Sequence, residues 1–106
     1  MQHLTSPHDL DAALTGPEAV LLKHGAHCPI SAAARREMAG FAERNPHVAL
    51  FALEVTEHRA LSEALAERLA IPHQSPQLIL LRDGAPEWHV THFAITARAL
   101  EDRLAG

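Results

Sequence analysis

Residues 19–31, Ala-Val-Leu-Leu-Lys-His-Gly-Ala-His-Cys-Pro-Ile-Ser, decide the fold of this 106-residue chain. The apolar run at residues 19–24 lies between a proline and a glycine and predicts a buried strand. The loop after it ends at Cys28. Pro29 suits the first turn of a helix, where its missing N–H would be unpaired anyway. The stretch therefore predicts a strand, a short loop and a helix, with a cysteine where the loop meets the helix.

Outward from this stretch, the apolar periodicity predicts alternating helices and strands. The predicted helices start after Ser6, cover residues 29–44 and 57–70, and start again after Thr96. The predicted strands cover residues 19–24, 48–55, 77–81 and 87–91, and a short strand at residues 3–4 is an open alternative. Right-handed crossings make the early strands parallel, and the late hairpin adds an antiparallel partner. We therefore expect an α/β fold, with a central mixed β-sheet and helices on both faces.

The composition narrows the class of protein. A chain of this length fits a single domain, residues 1–106. Its formal net charge of −4 argues against a nucleic-acid partner, because phosphate backbones are bound by basic surfaces. No apolar run approaches the roughly 20 residues that cross a bilayer, and the first residues do not resemble a secretory signal. We expect a cytoplasmic protein with no membrane partner.

Cys28 is the only cysteine, so no disulfide can form within the chain, and a reducing compartment fits. The first N–H groups of a helix lack partners and carry partial positive charge. A thiolate beside them is stabilised. We therefore expect Cys28 to be a reactive nucleophile whose pKa lies below the free value of about 8.5. The alternative is an inert, buried cysteine.

Neighbouring side chains are candidates for tuning this thiol. His27 is a candidate because histidine side chains can carry positive charge at cellular pH, although an exposed loop histidine without effect is the alternative. His24 and Lys23 are weaker candidates for the same role. Ser31, one helical turn after Cys28, can donate its hydroxyl to the thiolate, or it is an ordinary serine of the first turn.

Two further features bear on the site. Ser75-Pro76 leads directly into a predicted core strand, which indicates a fixed turn, although only about 5–6% of X–Pro bonds are cis. His89 and His92 are three residues apart, so they point to opposite faces if one strand contains both. We predict no metal site.

Three stretches resemble the monothiol bacilliredoxin family of thioredoxin-like proteins. They are residues 23–32 (Lys-His-Gly-Ala-His-Cys-Pro-Ile-Ser-Ala), residues 75–77 (Ser-Pro-Gln), and Asp83-Gly84 with Trp88-His89-Val90-Thr91-His92 and Ile95-Thr96. The resemblance implies a thioredoxin-like fold in which Pro76 is a cis proline that faces Cys28. It also implies that Ser75 offers backbone groups to the bound substrate.

The function that this resemblance implies is thiol–disulfide exchange. Cys28 would be the catalytic residue, supported by His27, Pro29 and Ser31, and would remove bacillithiol from mixed disulfides on client proteins. Bacillithiol would be a co-substrate with no bound cofactor. The partners would be the client proteins and a low-molecular-weight thiol, and the protein would be a monomer or weak dimer. Two alternatives stay open: a module that shares an iron–sulfur cluster between subunits, and an interaction protein without the chemistry.

Overall fold

The computed structural model describes all 106 residues and contains one five-stranded sheet. The strands are β1 Gln2–His3, β2 Glu18–His24, β3 Leu50–Glu54, β4 Gln77–Arg82 and β5 Ala85–Thr91. The helices are α1 Pro7–Thr15, α2 Pro29–Arg44, α3 Arg59–Leu69 and α4 Ala97–Ala105, with a 3₁₀ helix at His92–Ala94.

The sheet is mixed, and its strand order is β1-β3-β2-β4-β5. Strands β1, β3 and β2 are parallel, whereas β4 runs antiparallel to both β2 and β5. Central strand β2 is buried on both faces, which explains why its sequence is almost continuously apolar. The predicted α/β architecture is confirmed.

Each face of the sheet carries its own hydrophobic core. Leu21 points toward α1 and α3, where it packs among residues such as Leu14 and Leu65. Its neighbour Leu22 points the other way, toward α2 and α4, because successive strand residues face opposite sides. The expectation of helices on both faces is therefore confirmed.

Two predicted elements are shorter in the structure than in the sequence pattern. The predicted strand 48–55 is reduced to β3, and the predicted helix 57–70 begins only at Arg59. Between the two elements, the side chain of Glu54 accepts a hydrogen bond from the N–H of Glu57 at 2.6 Å and stabilises a turn. The last predicted strand is longer than expected, because β5 is an edge strand that tolerates Pro86.

The ends of the elements define one functional edge of the sheet. Strands β2 and β3 end there, β4 begins there, and α2 begins after the short loop that follows β2.

The short first strand, which the sequence left open, is present at Gln2–His3, one residue earlier than predicted, and pairs with β3. None of the helices is both long enough and apolar enough to span a bilayer.

Candidate active site

Cys28 is the N-cap residue of α2 and has an extended backbone conformation, with φ −95° and ψ 124°. Its carbonyl oxygen accepts the first hydrogen bond of the helix, from the N–H of Ala32 at 2.9 Å. Pro29 occupies the start of the helix, as the sequence predicted. The side chain of Cys28 is half-buried. Its sulfur is therefore reachable at the positive end of a 16-residue helix.

The pKa of the Cys28 thiol lies below its ordinary value. The backbone N–H of Ser31 lowers it most, followed by the N–H of Ile30, while partial burial opposes them. The hydroxyl of Ser31 and the charge of Arg35 lower it further. The side chain of Cys28 forms no capping hydrogen bond with the helix. The amides therefore favour the thiolate through their partial positive charges.

Ser31 fastens the loop that leads to the cysteine. Its side chain is fully buried, and its Oγ accepts a hydrogen bond from the N–H of Gly25 at 2.9 Å. Because this bond uses a lone pair of the oxygen, the hydroxyl proton remains available to the sulfur of Cys28. The donor role expected from the sequence stays a prediction. The structure adds a second role, which is to hold the loop.

Arg35 contacts the Cys28 loop and was not among the site residues predicted from the sequence. One guanidinium nitrogen donates to the carbonyl oxygen of Gly25 at 2.8 Å and lies 3.1 Å from Nδ1 of His24. The signal was its spacing, since residues 28, 31 and 35 share one face of a helix. On that face, the charge of Arg35 can reach both the loop and the thiol.

Glu54 holds the same loop from the neighbouring strand. Its carboxylate accepts from the N–H of Ala26 at 2.9 Å and from the N–H of Glu57 at 2.6 Å. Burial would raise the pKa of this carboxyl, but the N–H groups of Glu57, Ala26 and Thr56 outweigh it, so the pKa is lowered. The loop before Cys28 is therefore fixed by contacts from Ser31, Arg35 and Glu54.

The histidines near the thiol differ in their surroundings. His27 is exposed, and it is not among the groups that lower the pKa of Cys28. His24 is buried at the end of β2, and burial, followed by the charge of Arg35, lowers its pKa. A histidine in this state is neutral at pH 7 and brings no positive charge to the thiol. The positive side chain at the site is that of Arg35.

The Ser75–Pro76 peptide bond is cis, as the resemblance implies. Gln77, the next residue, pairs with Lys23 of β2, so Pro76 lies one residue beyond this pair on the edge that carries the Cys28 loop. The carbonyl oxygen of Pro76 accepts from the N–H of His92 at 3.1 Å. The substrate-binding role of Ser75 stays a prediction.

The two histidines near the last strand lie on different elements. His89 lies on β5, and His92 begins the 3₁₀ helix. No group of three or more histidine, cysteine, aspartate or glutamate side chains is placed to hold a metal ion.

Solved structures with the same fold include several redox proteins. One assigned as an oxidoreductase with a thioredoxin fold aligns with a TM-score of 0.87 and 28% identity, over 95% of this chain and 90% of that one. Mitochondrial thioredoxin 3 from Saccharomyces cerevisiae aligns with a TM-score of 0.78 and 14% identity, over 99% and 93%. Plasmodium falciparum thioredoxin aligns with a TM-score of 0.78 and 11% identity, over 99% and 97%. At such low identities, the two thioredoxins establish the fold alone.

The family follows from the sequence itself. A family model described as monothiol bacilliredoxin BrxC matches residues 2–100. This range contains the single cysteine, the loop that holds it and the cis proline. The chain therefore belongs to the monothiol bacilliredoxin BrxC family, with a thioredoxin fold and a thiol redox function.

Proposed function

We propose that this protein removes bacillithiol from mixed disulfides on client proteins, with Cys28 as the nucleophile. The observation that carries the proposal is the half-buried Cys28 sulfur at the amino end of α2, where the amides of Ser31 and Ile30 lower the pKa of the thiol. Membership of the monothiol bacilliredoxin family supports bacillithiol as the thiol involved.

The first step is attack of the Cys28 thiolate on the bacillithiol sulfur of the client's mixed disulfide. The client's sulfur–sulfur bond breaks, and a new one forms between Cys28 and bacillithiol. The electron pair leaves with the client sulfur, which takes up a proton and becomes a thiol. The fraction of thiolate and access to the correct sulfur control the rate of this step.

The second step regenerates the enzyme and needs a thiol from outside the chain, because Cys28 is the only cysteine. The thiolate of a second bacillithiol molecule attacks the bacillithiol sulfur held on Cys28. Bacillithiol disulfide leaves, and the Cys28 thiolate is restored. In sum, the client sulfur is reduced to a thiol, one free bacillithiol thiol is oxidised, and both bacillithiol groups leave as bacillithiol disulfide.

One copy of the chain suffices for this chemistry. The groups that lower the pKa of the thiol, Ser31, Ile30 and Arg35, belong to the same helix as Cys28. We therefore propose that the protein acts as a monomer or a weak dimer. We also propose that it works in the cytoplasm, with client proteins and a low-molecular-weight thiol as partners.

The test is release of bacillithiol from a defined client. A bacillithiolated model protein is incubated with the chain and free bacillithiol, and intact-mass spectrometry follows the client and the enzyme. We expect loss of the client's adduct and a transient bacillithiol adduct on Cys28. The Cys28→Ser variant should give neither. Equal client reduction by wild type and Cys28→Ser would contradict the proposal.

A further inference from the structure

His24 is the last residue of β2, and its side chain is buried, with 6% of its surface exposed. It faces α2, because Leu22, two residues earlier on the strand, packs into the core on that side of the sheet. One ring nitrogen, Nδ1, lies 3.1 Å from Nη1 of Arg35. The other, Nε2, is buried and has no hydrogen-bond partner. The polar contact of the ring is therefore made by Nδ1.

The chemistry of this contact assigns the proton of the His24 ring. A guanidinium has donors and no acceptor, so Nδ1 of His24 accepts a hydrogen bond from Arg35 through its lone pair. In a neutral imidazole one nitrogen accepts and the other carries the proton. The proton of His24 is therefore on Nε2. A second proton on Nδ1 would remove the acceptor and place an N–H against the N–H groups of the guanidinium.

The charges around His24 keep the ring neutral. Burial lowers its pKa most, and the charge of Arg35 on α2 lowers it next. Glu54 on β3 raises this pKa, whereas His3 on β1 lowers it, and the balance leaves it below the ordinary value of 6.5. The acceptor at Nδ1 is therefore present at pH 7 and is lost as the pH falls through the folded-state pKa of His24.

One nitrogen of Arg35 connects His24 to the Cys28 loop. Nη1 carries two hydrogens. One points to Nδ1 of His24, and the other is donated to the carbonyl oxygen of Gly25 at 2.8 Å. With two acceptors on consecutive residues the guanidinium has one orientation, whereas a single bond to Gly25 would allow it to turn about that bond. His24 therefore determines how Arg35 lies against the loop.

The loop residue that Arg35 contacts lies directly against the cysteine. A Cβ built on Gly25 would be 3.8 Å from Cβ of Cys28 and 3.8 Å from Oγ of Ser31. The N–H of Gly25 donates to the same Oγ, so both polar groups of this glycine are bonded to α2. A turn of the Arg35 side chain would therefore release the loop beside Cys28 and withdraw a positive charge that lowers the pKa of the thiol.

We propose that His24 is a positioning residue of this site, whose neutral ring, protonated on Nε2, holds Arg35 against the loop that carries Cys28. The inference rests on the proposed function, because it takes Cys28 as the nucleophile. It extends that function to a residue that acts on the thiol only through Arg35. His24 is not among the groups that lower the pKa of Cys28 directly, whereas Arg35 is.

The first test is a double-mutant cycle on the reaction of Cys28 with hydroxyethyl disulfide, a small uncharged disulfide. His24→Leu removes the acceptor and should lower the rate near neutral pH by roughly two- to fivefold, the same factor as Arg35→Met. The double variant should react no more slowly than Arg35→Met alone, since His24 acts through Arg35. Thermal unfolding verifies that each variant is folded.

Two further variants make the cycle specific. In His24→Asn the amide oxygen lies the same number of bonds from the backbone as Nδ1, so it can accept from Arg35 without titrating and should keep the rate within twofold of the wild type. His47→Leu replaces an exposed histidine between α2 and β3 and should leave the rate unchanged. If His24→Leu has no effect, or the same effect in the Arg35→Met background, the inference is overturned.

The second test observes the tautomer in the wild type. In protein labelled with nitrogen-15 histidine, comparison with His24→Asn assigns the ring signals of His24 among the nine histidines. At pH 7.5 we expect an unprotonated Nδ1 and a protonated Nε2, and a proton on Nδ1 would overturn the inference. Neither test uses bacillithiol, so the inference and the release of bacillithiol from a client can fail independently.

Discussion

The guanidinium of Arg35 lies 2.8 Å from the carbonyl oxygen of Gly25, so helix α2 holds the loop that carries its own N-cap cysteine. The N–H of the same glycine donates to Ser31, one turn earlier on the helix. The two contacts fix both polar groups of Gly25. They connect the position of the Cys28 sulfur to the rigid body of the helix.

Arg35→Met should raise the pKa of Cys28, because the variant loses a positive charge near the thiol and frees the Gly25 carbonyl. The rate of thiolation near neutral pH should fall by roughly two- to fivefold, the scale of one partly exposed charge interaction. The ultraviolet absorbance of the thiolate, followed against pH, gives the pKa. Arg36→Met is the matched control, because Arg36 is exposed and contacts neither group. If the pKa of Cys28 shifts equally in both variants, Arg35 has no specific effect on the thiol.

Ser31→Ala should raise the pKa of Cys28 and destabilise the fold by about 1–2 kcal/mol, because the Gly25 N–H loses its acceptor. Ser6→Ala is the control. It removes the cap of α1, a hydrogen bond from the N–H of Asp9 at 3.1 Å, and should lower stability by about 1 kcal/mol. Chemical denaturation measures the loss of stability in both variants. Titration of the Cys28 thiol should separate the two variants, because only Ser31→Ala should raise the thiol pKa. An unaltered thiol pKa in Ser31→Ala would leave Ser31 with a purely structural role.

Glu54→Gln should weaken the fold in a pH-dependent way. The folded-state pKa of Glu54 lies below the ordinary value of 4.5. Its stabilisation is therefore fully present above about pH 4.5 and is lost as the pH falls through the folded-state pKa. The difference in unfolding free energy between wild type and variant should shrink across this acidic range. Glu43→Gln, on the exposed side of α2, should show no such trend, and a pH-independent difference for Glu54→Gln would contradict the assignment.

Two glycine substitutions should have opposite effects on stability. Gly84 has a φ of +78°, and a Cβ there would lie 2.7 Å from the carbonyl oxygen of Leu14, so Gly84→Ala should destabilise by about 2 kcal/mol. Gly40 lies within α2, where a Cβ would approach only the flexible end of Arg44 at 3.4 Å. Gly40→Ala should stabilise by up to about 1 kcal/mol. Thermal unfolding checks both signs, and a stable Gly84→Ala variant would refute the close approach.

Local signals in the sequence were sufficient to predict most of the helices and strands. Helix α2 has the predicted bounds because Pro29 favours its start and Asn45-Pro46 stops it. The position of Cys28 followed from the same signals. The cis bond before Pro76 did not follow from local signals, and only the family resemblance indicated it.

The contacts that hold the Cys28 loop could not be predicted in the same way. Glu54 reaches Ala26 across 28 residues of sequence, and only the pairing of β2 with β3 brings the two together. His27 was one candidate for lowering the pKa of the thiol because it is next to Cys28 in sequence, whereas Arg35 acts from two helical turns away.

Because Lys23 is buried, proteolytic cleavage after this residue reports on unfolding of the chain. A protease that cuts only after lysine has one target bond, between Lys23 and His24, in the central strand of the sheet. Fraying of the termini or of surface loops leaves that bond protected. When refolding is fast relative to cleavage, the digestion rate therefore tracks the equilibrium population of the opened chain.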